Sequence, residues 1–228
     1  MKIKLLIIFC GLLSAGVMLS GCSGIKGTLA PELMDKSPFT GNPCAAPCWY
    51  GLEIRISDES EVVSTLKSLN FLDEESLQID STSVPGFDSK NLVPGKIIRA
   101  DCLRSKYTCL VLKIADGKLR DVGIFLKMPI DEVVAYIGNP DKVGFDACCA
   151  ESMECYIELV WIKQQLVLTS APFQGAKGCK YSQTVVSSGL VDSDLEIVMV
   201  DFLPIEDIKR IIADSQTTGN YQGINPKK

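Results

Sequence analysis

Histidine is absent from all 228 residues. That removes the commonest general base and excludes Ser-His-Asp and Cys-His nucleophilic arrangements. No cysteine pair has CxxC spacing, so the usual zinc-ligand patterns are missing as well. The glycines form neither a phosphate-binding loop nor a dinucleotide fingerprint, and EF-hand calcium loops do not occur. A basic surplus is also lacking, with 23 Lys and Arg against 28 Asp and Glu. The expectation is therefore no nucleic-acid partner, no metal and no cofactor. The one long apolar run, residues 3–19, is interrupted by Lys, Gly and Ser. It is marginal for crossing a bilayer, which takes about 20 mostly apolar residues.

What that run does have is the order of a secretory leader. Lys2 and Lys4 open it, residues 5–13 are apolar, and Ser14, Ala15, Gly16, Ser20 and Gly21 are small. Leu19-Ser20-Gly21-Cys22 resembles a bacterial lipobox, at which a precursor is lipidated on cysteine and cut just before it. The expected mature chain begins at Cys22, held by acyl chains on the extracytoplasmic face of a bacterial envelope. That face belongs to the cell membrane, or to the outer membrane in a diderm, where Ser23 suits release. Removing Lys2 and Lys4 leaves 21 basic and 28 acidic residues, a net charge of −7.

Ten cysteines are many for a reduced compartment. Setting aside Cys10 in the leader and Cys22 leaves Cys44, Cys48, Cys102, Cys109, Cys148, Cys149, Cys155 and Cys179. An even set outside the cytoplasm reads as four disulfides, with 105 pairings open. Two have a geometric basis. Cys102 and Cys109 flank the turn at Ser105-Lys106, and Cys44 and Cys48 bracket Ala45-Ala46-Pro47. Adjacent Cys148 and Cys149 are expected to bond different partners.

Residues 22–43, rich in Gly, Ser and Pro, read as a tether, and residues 214–228 as a polar, flexible tail. Between them, Ser57-Asp58-Glu59 opens a helix with Val62, Val63, Leu66 and Leu69 on one face. Strand-like runs follow at 77–81, 96–103, 107–115 and 119–127, with a hairpin signal at Asp116-Gly117. A second helix opens at Met128-Pro129-Ile130-Asp131-Glu132, followed by runs at 142–145, 155–162, 165–170 and 195–202. A third opens at Pro204-Ile205-Glu206-Asp207. Glu61-Val62-Val63 returns as Glu132-Val133-Val134 after 71 residues, and Pro129-Ile130 as Pro204-Ile205 after 75. Such a period fits duplication of a helix-plus-sheet module, at 44–127 and 128–213. It equally fits the shared grammar of acidic helix starts.

The stretch 128–140, an acidic helix start running into Val-Val-x-x-Ile-Gly-x-Pro, resembles the SmpA/OmlA family. Those are small lipoproteins associated with outer-membrane β-barrel assembly. It also resembles the modules of β-lactamase-inhibitor proteins, in which paired helices pack on antiparallel sheet, in tandem. This chain departs from the pattern, with Lys127-Met128 where a Gly usually opens the phrase. The barrel-assembly role is therefore not carried over. The front segment, Pro43-Cys44 through Pro47-Cys48-Trp49-Tyr50-Gly51, looks like that of uncharacterised bacterial lipoproteins.

Ser64-x-x-Lys67 has the spacing of penicillin-binding nucleophiles but lacks their partner motifs, and reads as a solvated helix face. Glu59, Glu61, Asp131, Glu132, Glu206 and Asp207 sit at helix starts, where the helix dipole accounts for them. Trp49, Tyr50, Tyr156 and Trp161 read as core. Residues 84–95 and 172–182 read as long contact loops. The resulting expectation is an α+β protein with short helices on antiparallel sheet. It is not an enzyme but a lipid-anchored module that binds another envelope protein. Binding of a small extracellular ligand is the alternative, and a carboxylate-only hydrolase comes third.

Overall fold

A computed structural model describes residues 36–103, 107–148, 154–213 and 218–225. The leader, Cys22, the first part of the tether, Cys149 and the Cys148 side chain lie outside the described residues.

After α1 (Ser37–Thr40) and a small hairpin, β1 (Cys48–Trp49) with β2 (Leu52–Glu53), comes α2 (Glu59–Ser68). Its start follows from local chemistry. The Asp58 carboxylate accepts from the Glu61 amide at 3.0 Å, and Glu61 accepts from the Asp58 amide at 2.9 Å. Each satisfies a donor that the first turn leaves open. Four strands follow: β3 (Gln78–Pro85), β4 (Leu92–Asp101), β5 (Thr108–Ala115) and β6 (Lys118–Pro129). Asp116 and Gly117, both at positive φ, make the two-residue β5–β6 turn.

Then the order returns. Helix α3 (Ile130–Ile137) precedes β7 (Lys142–Cys148), β8 (Glu154–Trp161), β9 (Leu166–Ser170) and β12 (Glu196–Phe202). Between β9 and β12 the chain inserts β10 (Phe173–Gln174), α4 (Gly175–Ser188) and β11 (Leu190–Asp192). Helix α5 (Ile205–Ala213), β13 (Thr218–Asn220) and β14 (Gly223–Asn225) close it. The two four-strand groups share one antiparallel sheet, ordered β13-β7-β8-β9-β12-β6-β5-β4-β3, and meet where β12 pairs with β6. The fold is α+β, with helices packed on a large antiparallel sheet.

One sheet face carries Leu112, Val122, Ile124, Leu159, Leu168 and Phe202, which pack with the apolar sides of α2, α3 and α4 in the main core. Trp49 and Trp161 are buried there, and the Trp161 indole N–H donates to the Gly138 carbonyl at 3.0 Å. On the other face α5 is the one helix that covers the sheet among the described residues, and there Ile208 joins Val160 and Val167 in a second cluster. No helix among the described residues is long and apolar enough to cross a membrane.

Three disulfides occur among the described residues: Cys44–Cys48, Cys102–Cys109 and Cys155–Cys179. The first two are the local pairs that spacing pointed to. The third clamps α4 onto β8 with Cα atoms 5.1 Å apart. The long loop expected over 172–182 is instead mostly α4. Glycines at 175 and 178 weaken the helical signal there. Gly178 is nonetheless demanded by packing, because a Cβ would lie 2.7 Å from the Phe173 carbonyl carbon. The other expected loop, 84–95, is largely the β3–β4 hairpin, with its turn between Pro85 and Leu92. The tail also differs from expectation over 218–225. There β13 pairs with β7, and β14 runs parallel to β11.

Candidate functional site

The sheet face opposite the main core is the part of the molecule with unexplained chemistry. Residues directly opposite in an antiparallel ladder share a face. The register therefore groups Ile97 with Lys113 and Asp121, Arg99 with Val111, Gly123 and Asp201, and Phe125 with Met199, Thr169 and Glu158. Apart from buried Asp121, the side chains of these rows are half-buried. A solvated antiparallel face ordinarily alternates to polar residues. Here Ile97, Val111, Phe125 and Met199 hold positions that polar side chains normally fill.

One border of this face is a buried charge cluster. Between the pairs Lys113↔Asp121 and Ile114↔Leu119 the register shifts, so Arg120 is the extra residue of a β-bulge. Its guanidinium contacts Asp121, donates to Asp207 at 2.6 Å and to the Ser89 hydroxyl at 3.0 Å, and reaches the Gly86 carbonyl at 3.4 Å. Ser89 in turn donates to Asp207. The side chains of Arg120, Asp121 and Asp207 are 4–5% exposed. The cluster pins the first turn of α5 and the β3–β4 turn to the sheet. Arg55, in contact with both Glu206 and the Phe87 carbonyl, reinforces the same junction. A buried arginine so well matched is a structural clamp.

Next to it, Asp201 stands over Gly123, and a Cβ at 123 would sit 2.8 Å from its Oδ1. Burial chiefly, with the nearby Asp121 and Glu158 charges, pushes its carboxyl up to about 7, against the pull of Lys113. The sign follows directly. A raised folded-state pKa means that protonated Asp201 favours the folded state below about pH 4, an advantage lost as pH rises through about 7. Asp201→Asn is therefore expected to gain relative stability between pH 4 and 7, by about 1–3 kcal/mol, and to level off above. Paired urea titrations at pH 4.5, 6 and 8 check this, and a pH-independent difference would contradict it.

The remaining carboxylates singled out from sequence do not converge on this face. Glu59 binds Lys96 at 2.7 Å, Glu61 closes the α2 cap, Glu132 pairs with Lys36, and Asp131 accepts from the Glu132 amide at 2.8 Å. Of that set only Asp207 reaches the cluster, through a partner, Arg120, that spacing did not reveal. Ser64 and Lys67 are exposed on α2, and Lys67 lies 3.9 Å from Glu74. Tyr50 packs edge-on to Trp49, and the Tyr156 hydroxyl donates to Glu154 at 3.0 Å. No group of three His, Cys, Asp or Glu side chains among the described residues is arranged to hold a metal ion. A cavity of about 500 Å³ lies beside the start of α3, lined by Lys127, Met128, Asp131, Asp194 and Glu196. It adjoins one of about 390 Å³ beside Phe173, Tyr181 and Asp192, where burial and a hydrogen bond to Asp192 push the Tyr181 hydroxyl up.

Compared with known family models, curated proteins and solved structures, the chain matches none.

Proposed function

We propose that the protein is a lipid-anchored, non-catalytic module of a bacterial envelope whose open sheet face docks another envelope protein. The observation that carries this reading is the group of half-buried apolar side chains on three neighbouring rows, Ile97, Val111, Phe125 and Met199, interleaved with Arg99, Lys113, Asp201 and Glu158. Interfaces combine an apolar centre with a polar surround in this way, and a broad, rigid sheet suits a protein better than a metabolite. The lipobox at residues 19–22 and the disulfides support the extracytoplasmic address. The helix-then-strands order, met twice and interrupted the second time by β10, α4 and β11, fits two helix-on-sheet modules in tandem.

Phe125 replaced by a photo-crosslinking amino acid is expected to capture a discrete protein in intact cells. The same replacement at Lys67, on α2, is expected to capture none. Equal capture from the two positions, or none from 125 while a metabolite co-purifies, would overturn the docking reading.

A further inference from the structure

The two edges of the sheet are treated differently by the chain. At one end β13 lies against β7, pairing Thr218, Gly219 and Asn220 with Gly144, Val143 and Lys142. At the other end β3 is last, and its outer edge has no strand against it among the described residues. Yet β3 is a good template. Eight consecutive residues, Gln78 to Pro85, pair with β4 without a bulge. The six from Gln78 to Ser83 are exposed on both faces. Edges are ordinarily blunted by lysine, by a bulge or by an internal proline. Here proline comes only at the last position, and the one charge, Asp80, is already paired with Arg99 at 2.6 Å.

We infer that β3 pairs edge to edge with β3 of a second copy of this chain, in an antiparallel twofold dimer that continues the sheet across both molecules.

Symmetry and charge together select the register. Antiparallel pairing about a twofold axis requires the axis to be perpendicular to the sheet, which keeps each face on its own side. Only residues of the same parity can then oppose one another. Centring on Asp80 sets two carboxylates directly across the axis, a destabilising arrangement. Centring on Thr82 draws in Pro85, which has no N–H to donate. Centring on Ser81 avoids both. It places Ser81 opposite Ser81 of the second copy, Asp80 opposite Thr82, Ile79 opposite Ser83, and Gln78 opposite Val84. Ile79, 42% exposed in one chain, gains cover in the pair. The backbone edge, rather than an apolar face, supplies the affinity, so the occupant must itself be an extended strand.

The experiment uses cysteine placement in intact cells, followed by mass measurement on the processed protein extracted in detergent. Directly opposed residues of an antiparallel pair have Cα atoms about 4.5–5.5 Å apart, within disulfide reach. Ser81→Cys is expected to give a dimer linked by a disulfide between the two introduced thiols, identified by peptide mass. Ser83→Cys, equally exposed, is not expected to link to itself. Ser81→Lys sets two cations across the axis. It is expected to halve the protein mass in sedimentation while leaving the far-ultraviolet circular-dichroism spectrum of the folded chain unchanged. A one-chain mass for the unmodified protein, equal linking from 81 and 83, or a two-chain mass for Ser81→Lys would each overturn the inference. Linking of the Ser81→Cys variant to a different protein would overturn it as well, assigning the edge to a foreign strand.

Discussion

Arg120→Ala is expected to destabilise the protein by about 3–5 kcal/mol, as a lower midpoint in urea unfolding. The arginine is buried in a β-bulge, and its removal strips the best-placed cation from two carboxylates, Asp121 and Asp207, that stay buried. What remains is partial. Asp121 keeps Lys113 at 3.3 Å, and Asp207 keeps Ser89 and an exposed Arg210 at 3.2 Å. The loss should be largest where the clamp acts, so amides of α5 are expected to exchange faster than those of β8 or β9. Two comparisons separate charge burial from simple truncation. Arg99→Ala breaks an exposed pair with Asp80 and is expected to cost under about 1 kcal/mol. Adding Asp207→Leu to Arg120→Met replaces the buried pair with apolar groups and is expected to cost much less than the sum of the single changes. Strict additivity would show that Arg120 and Asp207 act independently, contrary to the 2.6 Å contact between them.

What the sequence made legible was local. Ser57-Asp58-Glu59 announced α2 because a cap and an acidic first turn lie within a few consecutive residues, and Asp116-Gly117 announced the β5–β6 turn because only two residues are involved. The disulfides Cys44–Cys48 and Cys102–Cys109 were readable for the same reason, whereas Cys155–Cys179 spans 24 residues and an unforeseen helix. Helix α4 was hidden because its glycines obey tertiary contacts instead of helix propensity. The open face was invisible for a topological reason. Phe125 meets Met199 only because β12 returns past α4 to lie between β9 and β6. Arg120 was hidden twice over. It breaks the strand's alternation as a bulged residue, and its partner Asp207 is 87 residues away on a helix start for which the dipole already accounts.

Cys22→Ala is expected to have the largest effect of all on where the protein resides, moving it from the membrane pellet to the soluble fraction or halting it as uncut precursor. Each buried acyl CH₂ contributes about 0.8 kcal/mol, and stable attachment takes two or more chains. On the anchor reading, removing the Cys22 sulfur is expected to abolish that attachment. Palmitate labelling is expected in the unmodified chain and absent from the variant; equal labelling would sink the anchor reading. The point of departure from the fold adds a geometric consequence. Lys36 pairs with Glu132 and lies 5.5 Å from the centre of the Tyr136 ring, so the chain emerges beside α3, on the helix-covered side of the sheet. The 14 residue steps from Cys22 to Lys36 can reach at most about 50 Å. On the anchor reading, a tether that leaves from the helix layer is expected to turn the helices toward the membrane and the open face, with Phe125 and Asp201, away from it. Releasing the latch with Glu132→Lys is expected to leave palmitate labelling intact. It should loosen that orientation, read as increased labelling of a cysteine placed at Lys67 on α2 by a membrane-impermeant reagent.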